Sequence, residues 1–231
     1  MELRASNLLL DSLSPQVQSA LAAHLEPVEL PQRAVLYEYE ETPRYVHLML
    51  SGVASIVTTM QDGESVEVGV IGREGFPEHL HLLGPQVGAT RCFMQVAGVA
   101  LRMSFDQFRE FFRTDREILR AVHRLVQHEA LVLSQLGACN RLHEVDARLA
   151  RWLLMVQDRT GEDELLITQE GLGAMIGSRR STVNLAAGEL QRAEVIDFRR
   201  GRVLIKSREA LEGVACECYP ILRDLYRALY Q

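Results

Sequence analysis

Arg179, Arg180, Ser181, Thr182 and Asn184, with Arg199, Arg200 and Arg202 downstream, are the side chains best suited to one definite kind of chemistry. Guanidinium, hydroxyl and carboxamide groups bind phosphate oxygens and read base edges. A bidentate Arg–guanine contact alone discriminates by about 1–3 kcal/mol. From Thr168 to Arg208 eight Lys/Arg stand against four Asp/Glu, a basic excess inside a chain of net charge −6. Charge concentrated in this way favours nucleic acid as the partner of this segment.

The elements that must hold these groups are legible nearby. Thr168 is placed to cap a helix, with Gln169 and Glu170 in its first turn. Leu172, Met175 and Ile176 repeat at helical spacing, and Gly177 marks the end of that run. Ser178 is placed to cap a second helix, whose buried face is Val183, Ala186, Ala187 and Leu190. Gly173 and Ala174 are small enough to let the two helices approach closely. Such a pair forms a helix-turn-helix that presents its second helix to the major groove. Val195 to Phe198 and Val203 to Ile205 read as short strands around an Arg/Gly turn, a β-wing beside the helices. The expected DNA-binding set is therefore Thr168, Gln169, Ser178, Arg179, Arg180, Ser181, Thr182, Asn184, Arg199, Arg200 and Arg202.

The rest of the chain narrows the alternatives. Its 231 residues suffice for two domains, and its apolar and charged fractions are those of globular proteins. Residues 1–144 hold twelve Arg against eighteen Asp/Glu, while 145–231 are balanced at thirteen each. The acidic first part thus repels DNA and limits non-specific binding. No long apolar run or basic leader is present, which predicts a cytoplasmic protein with no membrane partner. Cys92, Cys139, Cys216 and Cys218 form neither a disulfide framework nor a zinc-ribbon spacing. The Cys216-Glu217-Cys218 pair offers too few ligands for a metal by itself. His79 and His81 lie two apart and would not share a helix face, and the other histidines are scattered. No metal, no cofactor and no catalytic residue is expected, since no nucleophile–base pair or Walker-type phosphate loop can be assembled.

Taken in order, Met1 to Val28 reads as helical, with Ser14-Pro15 starting a second helix. Between Glu29 and Met103, short β-prone segments separated by Gly and Asp-Gly turns predict an antiparallel sandwich or barrel. Ile71 to Pro77 is a Gly-containing turn leading into a short apolar helix, which is either able to offer backbone N–H groups to an anion or simply a helical connection inside the barrel. Ser104 to Asn140 is the longest helical stretch, with an apolar stripe wide enough for two sets of neighbours. A further helix, Leu142 to Val156, turns Val145, Leu149, Trp152, Leu153 and Val156 inward and Arg141, Arg148 and Arg151 outward.

This order, with RLARWLLMV (148–156), LLITQEGLGAMIGSRRSTV (165–183), LQRAEVIDFRRGRVLI (190–205) and LEGVACECY (211–219), resembles the Crp/Fnr family of bacterial transcription regulators. The Leu50-Ser51-Gly52-Val53 turn and the GREGF segment (72–76) also look like that family's β-roll. The resemblance covers nearly the whole chain. It implies an α+β fold: a jelly-roll-like effector domain at 1–104, a dimerisation helix at 105–140 and a winged helix-turn-helix domain at 141–231. It further implies a homodimer on a palindromic promoter site in double-stranded DNA, with RNA polymerase as another partner. The dimer helix would use Ile118, Leu119, Val122, Leu125, Val126 and Leu133. An effector pocket would be lined by Gly72, Arg73, Glu74, Gly75, Thr90 and Arg91.

Departures from the family's pattern are informative. Cyclic-AMP-responsive members carry a Gly-Glu pair and an Arg-Ser pair, whereas here Arg73 follows Gly72 and Cys92 follows Arg91. Cyclic AMP is therefore not expected in the usual mode, and the effector is left unidentified. No cysteine precedes Cys92, so the N-terminal iron–sulfur cluster of oxygen-sensing members is not expected. Ser181 and Leu185 replace a frequent Glu and Arg of the recognition helix, so the half-site is not that of the relatives. The competing reading is a small-molecule-sensing module whose helix-turn-helix is only scaffold. The cluster Arg179, Arg180, Arg199, Arg200 and Arg202 opposes it, because a buried scaffold would not keep so many uncompensated charges. Arg180→Ala is expected to relax specificity at one base pair per half-site. Arg200→Ala should weaken all sequences alike and flatten the salt dependence, as titrations of operator variants at several salt concentrations would show.

Overall fold

The computed structural model describes residues 6–84, 88–167, 169–199 and 201–231. Two short helices, α1 (Leu8–Asp11) and α2 (Pro15–Ala22), lead into β1 (Glu26–Leu30), β2 (Val35–Tyr37), β3 (Tyr45–Met49), β4 (Val53–Thr59) and β5 (Ser65–Ile71). A 3-10 turn over Pro77–Leu82 precedes β6 (Arg91–Val96) and β7 (Gly98–Ser104). All pairings are antiparallel, in one sheet of order β1-β7-β3 and another of order β2-β6-β4-β5. Together they form the β-roll expected from the sequence. The Ser51-Gly52 turn requires glycine, because Gly52 has φ +77° and a Cβ there would lie 2.7 Å from the Val96 carbonyl oxygen.

Strand β1 falls partly in the stretch read as helical. Its alternation is masked by two glutamates and by Pro27, which an edge strand tolerates because its N–H is not needed. Strand β4 shows no alternation either, being buried on both faces along Val53–Val57. Ala54 and Ile56 face the roll interior with Ile71, Cys92 and Met94. Val53 and Val57 face outward into a different core.

The single long helix expected over 104–140 is two helices, α3 (Phe105–Thr114) and α4 (Arg116–Leu142). They break at Asp115, an extended residue whose carboxylate accepts the N–H groups of Glu117 (2.8 Å) and Ile118 (3.1 Å). An N-cap of this strength ends one helix and starts the next, although the apolar period runs on. The first half of α4 packs Ile118, Val122 and Leu125 onto the roll with Leu9, Leu48, Phe76 and Phe108.

Helix α5 (Val145–Thr160) follows, then β8 (Glu164–Leu166), α6 (Gln169–Ile176), α7 (Arg180–Arg192), β9 (Ile196–Arg199), β10 (Arg202–Ile205), α8 (Arg208–Val214) and α9 (Cys218–Ala228). The expected wing is present, and β8 adds a third strand in the order β8-β10-β9. Helix α5 is buried almost all round from Arg148 to Gln157. Arg148 and Arg151, expected to point outward, are therefore inside. Arg148 Nη1 donates to the carbonyl of Ile176 (3.1 Å), closing the C-terminal end of α6.

That burial has a consequence for the whole molecule. The core around α5, α6 and α7 is continuous with Val53, Val57 and Val70 on the outer face of the roll. Arg159, near the end of α5, inserts towards the roll and donates to Glu74 Oε1 at 2.7 Å, both side chains being almost wholly buried. Glu74 Oε2 accepts the Gly72 N–H at 2.9 Å, and Tyr230 donates to the Glu74 carbonyl at 2.9 Å. Removing one member of such a pair leaves a buried charge uncompensated, at a cost of about 3–5 kcal/mol. Arg159→Ala should lose about that much stability, and Glu74→Gln with Arg159→Met less than the sum of the single changes. Urea denaturation of the five proteins, the unaltered chain included, measures both.

Candidate nucleic-acid interface

Helix α7 turns Val183, Ala186, Ala187 and Leu190 inward, as its spacing requires, and leaves Arg179, Arg180, Ser181 and Thr182 exposed. Asn184 is half-buried, and Leu185 is 71% exposed on the same outer face. The helix begins one residue later than expected. Arg179, not Ser178, is the N-cap, and it offers no side-chain cap bond. Ser178 instead closes the turn, its backbone N–H donating to the Gly173 carbonyl at 3.0 Å. A Cβ on Gly173 would lie 3.0 Å from the Ser178 oxygen, so the close approach of α6 to this turn depends on glycine. The first N–H groups of α7 consequently keep their capacity for phosphate oxygens.

In the wing, Arg199 pairs with Asp197 (2.9 Å) and Arg202 with Glu164 (2.7 Å), while both guanidinium groups stay largely exposed. These local carboxylates orient the arginines without removing them from solvent. Thr168 and Arg200 lie outside the described residues, and of Gln169 only the backbone, at the start of α6, is described.

The residues expected to form an effector pocket fall in two groups on the β5-β4-β6 part of the sheet. Gly72 to Gly75 follow β5 at the end where Ile71 pairs with Ala54, whereas Arg91 pairs with Val57 farther along β4. At roughly 3.3 Å per residue those positions are on the order of 10 Å apart. Glu74 is taken up by Arg159, Arg91 by Glu38 (3.0 Å), and Thr90 Oγ1 by the Tyr37 hydroxyl (3.3 Å). The roll interior is further occupied by polar groups of the chain itself. His47 Nδ1 lies 2.7 Å from the buried Glu78 carboxylate. Burial holds His79 down to about 4, and so neutral, with its Nδ1–H donated to the Phe76 carbonyl.

Between the roll and the head, the part from α5 to α9, lie two clefts that no sequence signal announced. One, of about 640 Å³, is bounded by Gln32, Arg91 and Phe93 on one side and Leu166, Met175 and Arg202 on the other. The second, about 750 Å³, separates the β4–β5 hairpin (Met60, Gly63, Glu64, Val66) from Gly177, Arg179 and Arg180. Polar contacts cross the same boundary. Gln32 Nε2 donates to the Leu166 carbonyl (2.6 Å), and Trp152 Nε1 donates to Glu67 Oε1 (2.7 Å). Glu67 Oε2 accepts from Ser55 (2.5 Å). Burial pushes the Glu67 carboxyl up to about 7 against the pull of these hydrogen bonds.

Comparison with known proteins agrees with this architecture. Residues 27–115 match the cyclic nucleotide-binding domain family and residues 147–214 the Crp-like helix-turn-helix domain family, in that order along one chain. The chain belongs to the Crp/Fnr family of transcription regulators. A CRP-like cAMP-activated global transcriptional regulator of Mycobacterium tuberculosis is 23% identical over 212 residues, 88% of this chain and 94% of the relative. The c-di-GMP-responsive global regulator CLP of Xanthomonas campestris superposes with a TM-score of 0.68 at 16% identity, covering 84% of this chain and all of that one. A Crp/Fnr-family regulator of Eubacterium rectale gives 0.69 at 14% identity, over 89% of this chain and 96% of its own. As a family member the chain carries a DNA-binding helix-turn-helix, and α6 and α7 are that element. Among the described residues no helix is long and apolar enough to cross a membrane.

Glu67 makes the contact between roll and head sensitive to pH. Its folded pKa exceeds the ordinary carboxylate value, so its contribution is full below that ordinary value and is lost as pH rises through about 7. Trp152 is the only tryptophan of the chain and donates to this carboxyl. Its emission should titrate with a midpoint near 7, and the transition should be absent from Glu67→Gln.

Proposed function

We propose that this regulator is a cytoplasmic homodimer that reads a two-fold symmetric promoter site through α7 and acts with RNA polymerase, without cyclic AMP bound in the usual mode. The observation that carries the reading is the surface of α7: an apolar face fully buried, and Arg179, Arg180, Ser181 and Thr182 exposed in its first turns. In this reading Arg180 contacts a guanine edge, Ser181 and Asn184 assist it, and Arg179, Arg199, Arg200 and Arg202 hold phosphates. Leu185, where relatives carry a long polar side chain, suits a thymine methyl group.

The dimer is supported by the second face of α4. Leu119, His123, Val126, Ala130, Leu133, Gly137 and Asn140 recur at alternating intervals of four and three, all half-buried or exposed in one chain. That is the period of a helix–helix seam, and Ala130 and Gly137 would let the helices approach closely. Of the six dimer residues expected from the sequence, Leu119, Val126 and Leu133 lie on this seam. Ile118, Val122 and Leu125 lie on the opposite face, in the core of their own roll.

Independence from cyclic AMP is supported by the buried pairing of Glu74 with Arg159, which takes up the carboxylate nearest the position of the family's ribose-binding Glu. The function proposed is therefore regulation rather than catalysis, with the roll acting on the head across their common core.

Selection of bound sequences from random duplex DNA tests this reading. The purified protein should enrich one palindrome with half-sites about one helical turn, roughly 34 Å, apart, and added cyclic AMP should leave the enriched sequence and its yield unchanged. Leu133→Asp should give monomers in sedimentation and lose the palindrome. Failure to enrich any sequence, with or without cell extract, would favour the scaffold reading; dependence on cyclic AMP would overturn the pocket assignment.

A further inference from the structure

The end of α4 and the break between α8 and α9 bring together four side chains that regulation by DNA binding does not use. Cys139 lies in the last turns of α4 and His143 is its C-cap. Cys216 sits in the α8–α9 connection, and Cys218 is the first residue of α9. The three sulfurs and one imidazole nitrogen all lie within 4.8 Å of one another. Cys139 and Cys216 Sγ are 3.5 Å apart, as are Cys218 Sγ and His143 Nδ1. Spacing along the chain pairs only Cys216 with Cys218. The fold supplies the other two ligands from about seventy residues upstream.

We propose that Cys139, His143, Cys216 and Cys218 form a structural site for a single zinc ion. Zinc–ligand bonds of about 2.3 Å to sulfur and 2.0–2.1 Å to nitrogen give tetrahedron edges of about 3.5–3.8 Å; two of the separations are already 3.5 Å and none exceeds 4.8 Å. The set is too compact to enclose a multi-iron cluster. All four positions are protein ligands, the closed arrangement of structural zinc rather than the open one of catalytic zinc.

The surroundings are those of a ligand shell. Glu217 Oε1 lies 3.0 Å from His143 Nε2, so this nitrogen carries the proton and donates it, leaving the Nδ1 lone pair directed at the sulfurs. Gln135 Nε2 donates to Cys218 Sγ at 3.1 Å, a bond that a thiolate accepts better than a thiol. Arg151 is 2% exposed and makes no ion pair among the described residues. Its Nε has no hydrogen-bond partner, and its charge acts on Cys139 and Cys216 as well as on Glu67. Three thiolates, one neutral imidazole and a divalent ion carry a net −1, which is the counter-charge this buried guanidinium lacks. Binding releases the three thiol protons to solvent and involves no change of oxidation state. His143, with 22% of its side chain exposed, is the one ligand of the four that is not buried.

The position gives the site a mechanical meaning. His143 is the joint at which α4 passes into α5. A bound ion ties that joint to the C-terminal helices, fixing the reading head relative to the end of the long helix.

Full-length protein produced with added zinc, passed through a weak chelator and assayed by plasma mass spectrometry, is expected to hold one zinc per chain. Replacement by cobalt(II) should give the visible bands of a tetrahedral thiolate site. Cys216→Ser with Cys218→Ser should abolish both, and His143→Ala, at a partly exposed position, provides the same test if the double variant does not fold. Glu217→Gln should keep the stoichiometry and weaken zinc affinity about 10–100-fold in chelator competition. Cys92→Ser, in the roll, should retain zinc fully. A metal-free protein with four titratable thiols, or a Cys139–Cys216 disulfide in place of the ion, would overturn the proposal.

Discussion

A carboxylate and a guanidinium removed from water together constrain this molecule more than any other contact. Glu74 belongs to the turn after β5 and Arg159 to the helix that begins the reading head, yet their atoms meet at 2.7 Å inside one core. Neither charge tolerates that environment alone. The turn must therefore hold its shape, which the Gly72 N–H and the Tyr230 hydroxyl help to do, and α5 must stay seated on the roll. The guanidinium also lies over the Tyr226 ring at 5.1 Å, so α9 is drawn into the same arrangement. The GREGF segment thus works as a coupling element between roll and head in this conformation.

Once α5 is seated, the rest of the head has little freedom. Its apolar residues continue the outer face of β4 and β5 in one shared core, with the two clefts on the same boundary. Helix α7 is set across a cleft from the β4–β5 hairpin, with Arg179 and Arg180 on its far wall. Small displacements propagate through such a boundary because packed interfaces change between discrete arrangements. Burial raises both Glu67 and Glu129, the latter to about 8 with Glu74 adding to the effect, so partly neutral carboxyls line the region around the pair. Trp152, donating to one of them, belongs to the head by sequence and to the boundary by contact.

Helix α4 carries two duties on two faces. One face completes the roll core, and the other leaves Leu119, Val126 and Leu133 half-buried or exposed at intervals of seven, with Ala130 and Gly137 among them. Its last turns then supply Cys139 and His143 to the cluster at the joint with α5. A helix used on every side accounts for an apolar stripe broader than one neighbour requires.

The sequence by itself determined the elements whose period or punctuation is local. The buried face of α7, the Gly177 end of α6 (φ +59°), the wing around Gly201 and most strands of the roll follow from spacing and turn residues. So did the family, because the motifs around the helix-turn-helix are contiguous in the chain. Tertiary structure decided whatever depends on partners remote in sequence. Arg148 and Arg151 look like solvent-facing charges until α6 and the cysteine cluster surround them, and nothing in the pattern pairs Arg159 with Glu74. Ile118 and Leu119 are adjacent apolar residues that pattern alone cannot divide between roll and seam. Glu67 with Trp152, and Cys139 with Cys216, are 85 and 77 residues apart. Periodicity reports which face of an element is apolar, but not which distant element covers it, and charge, proton affinity and metal-binding capacity are set by that cover.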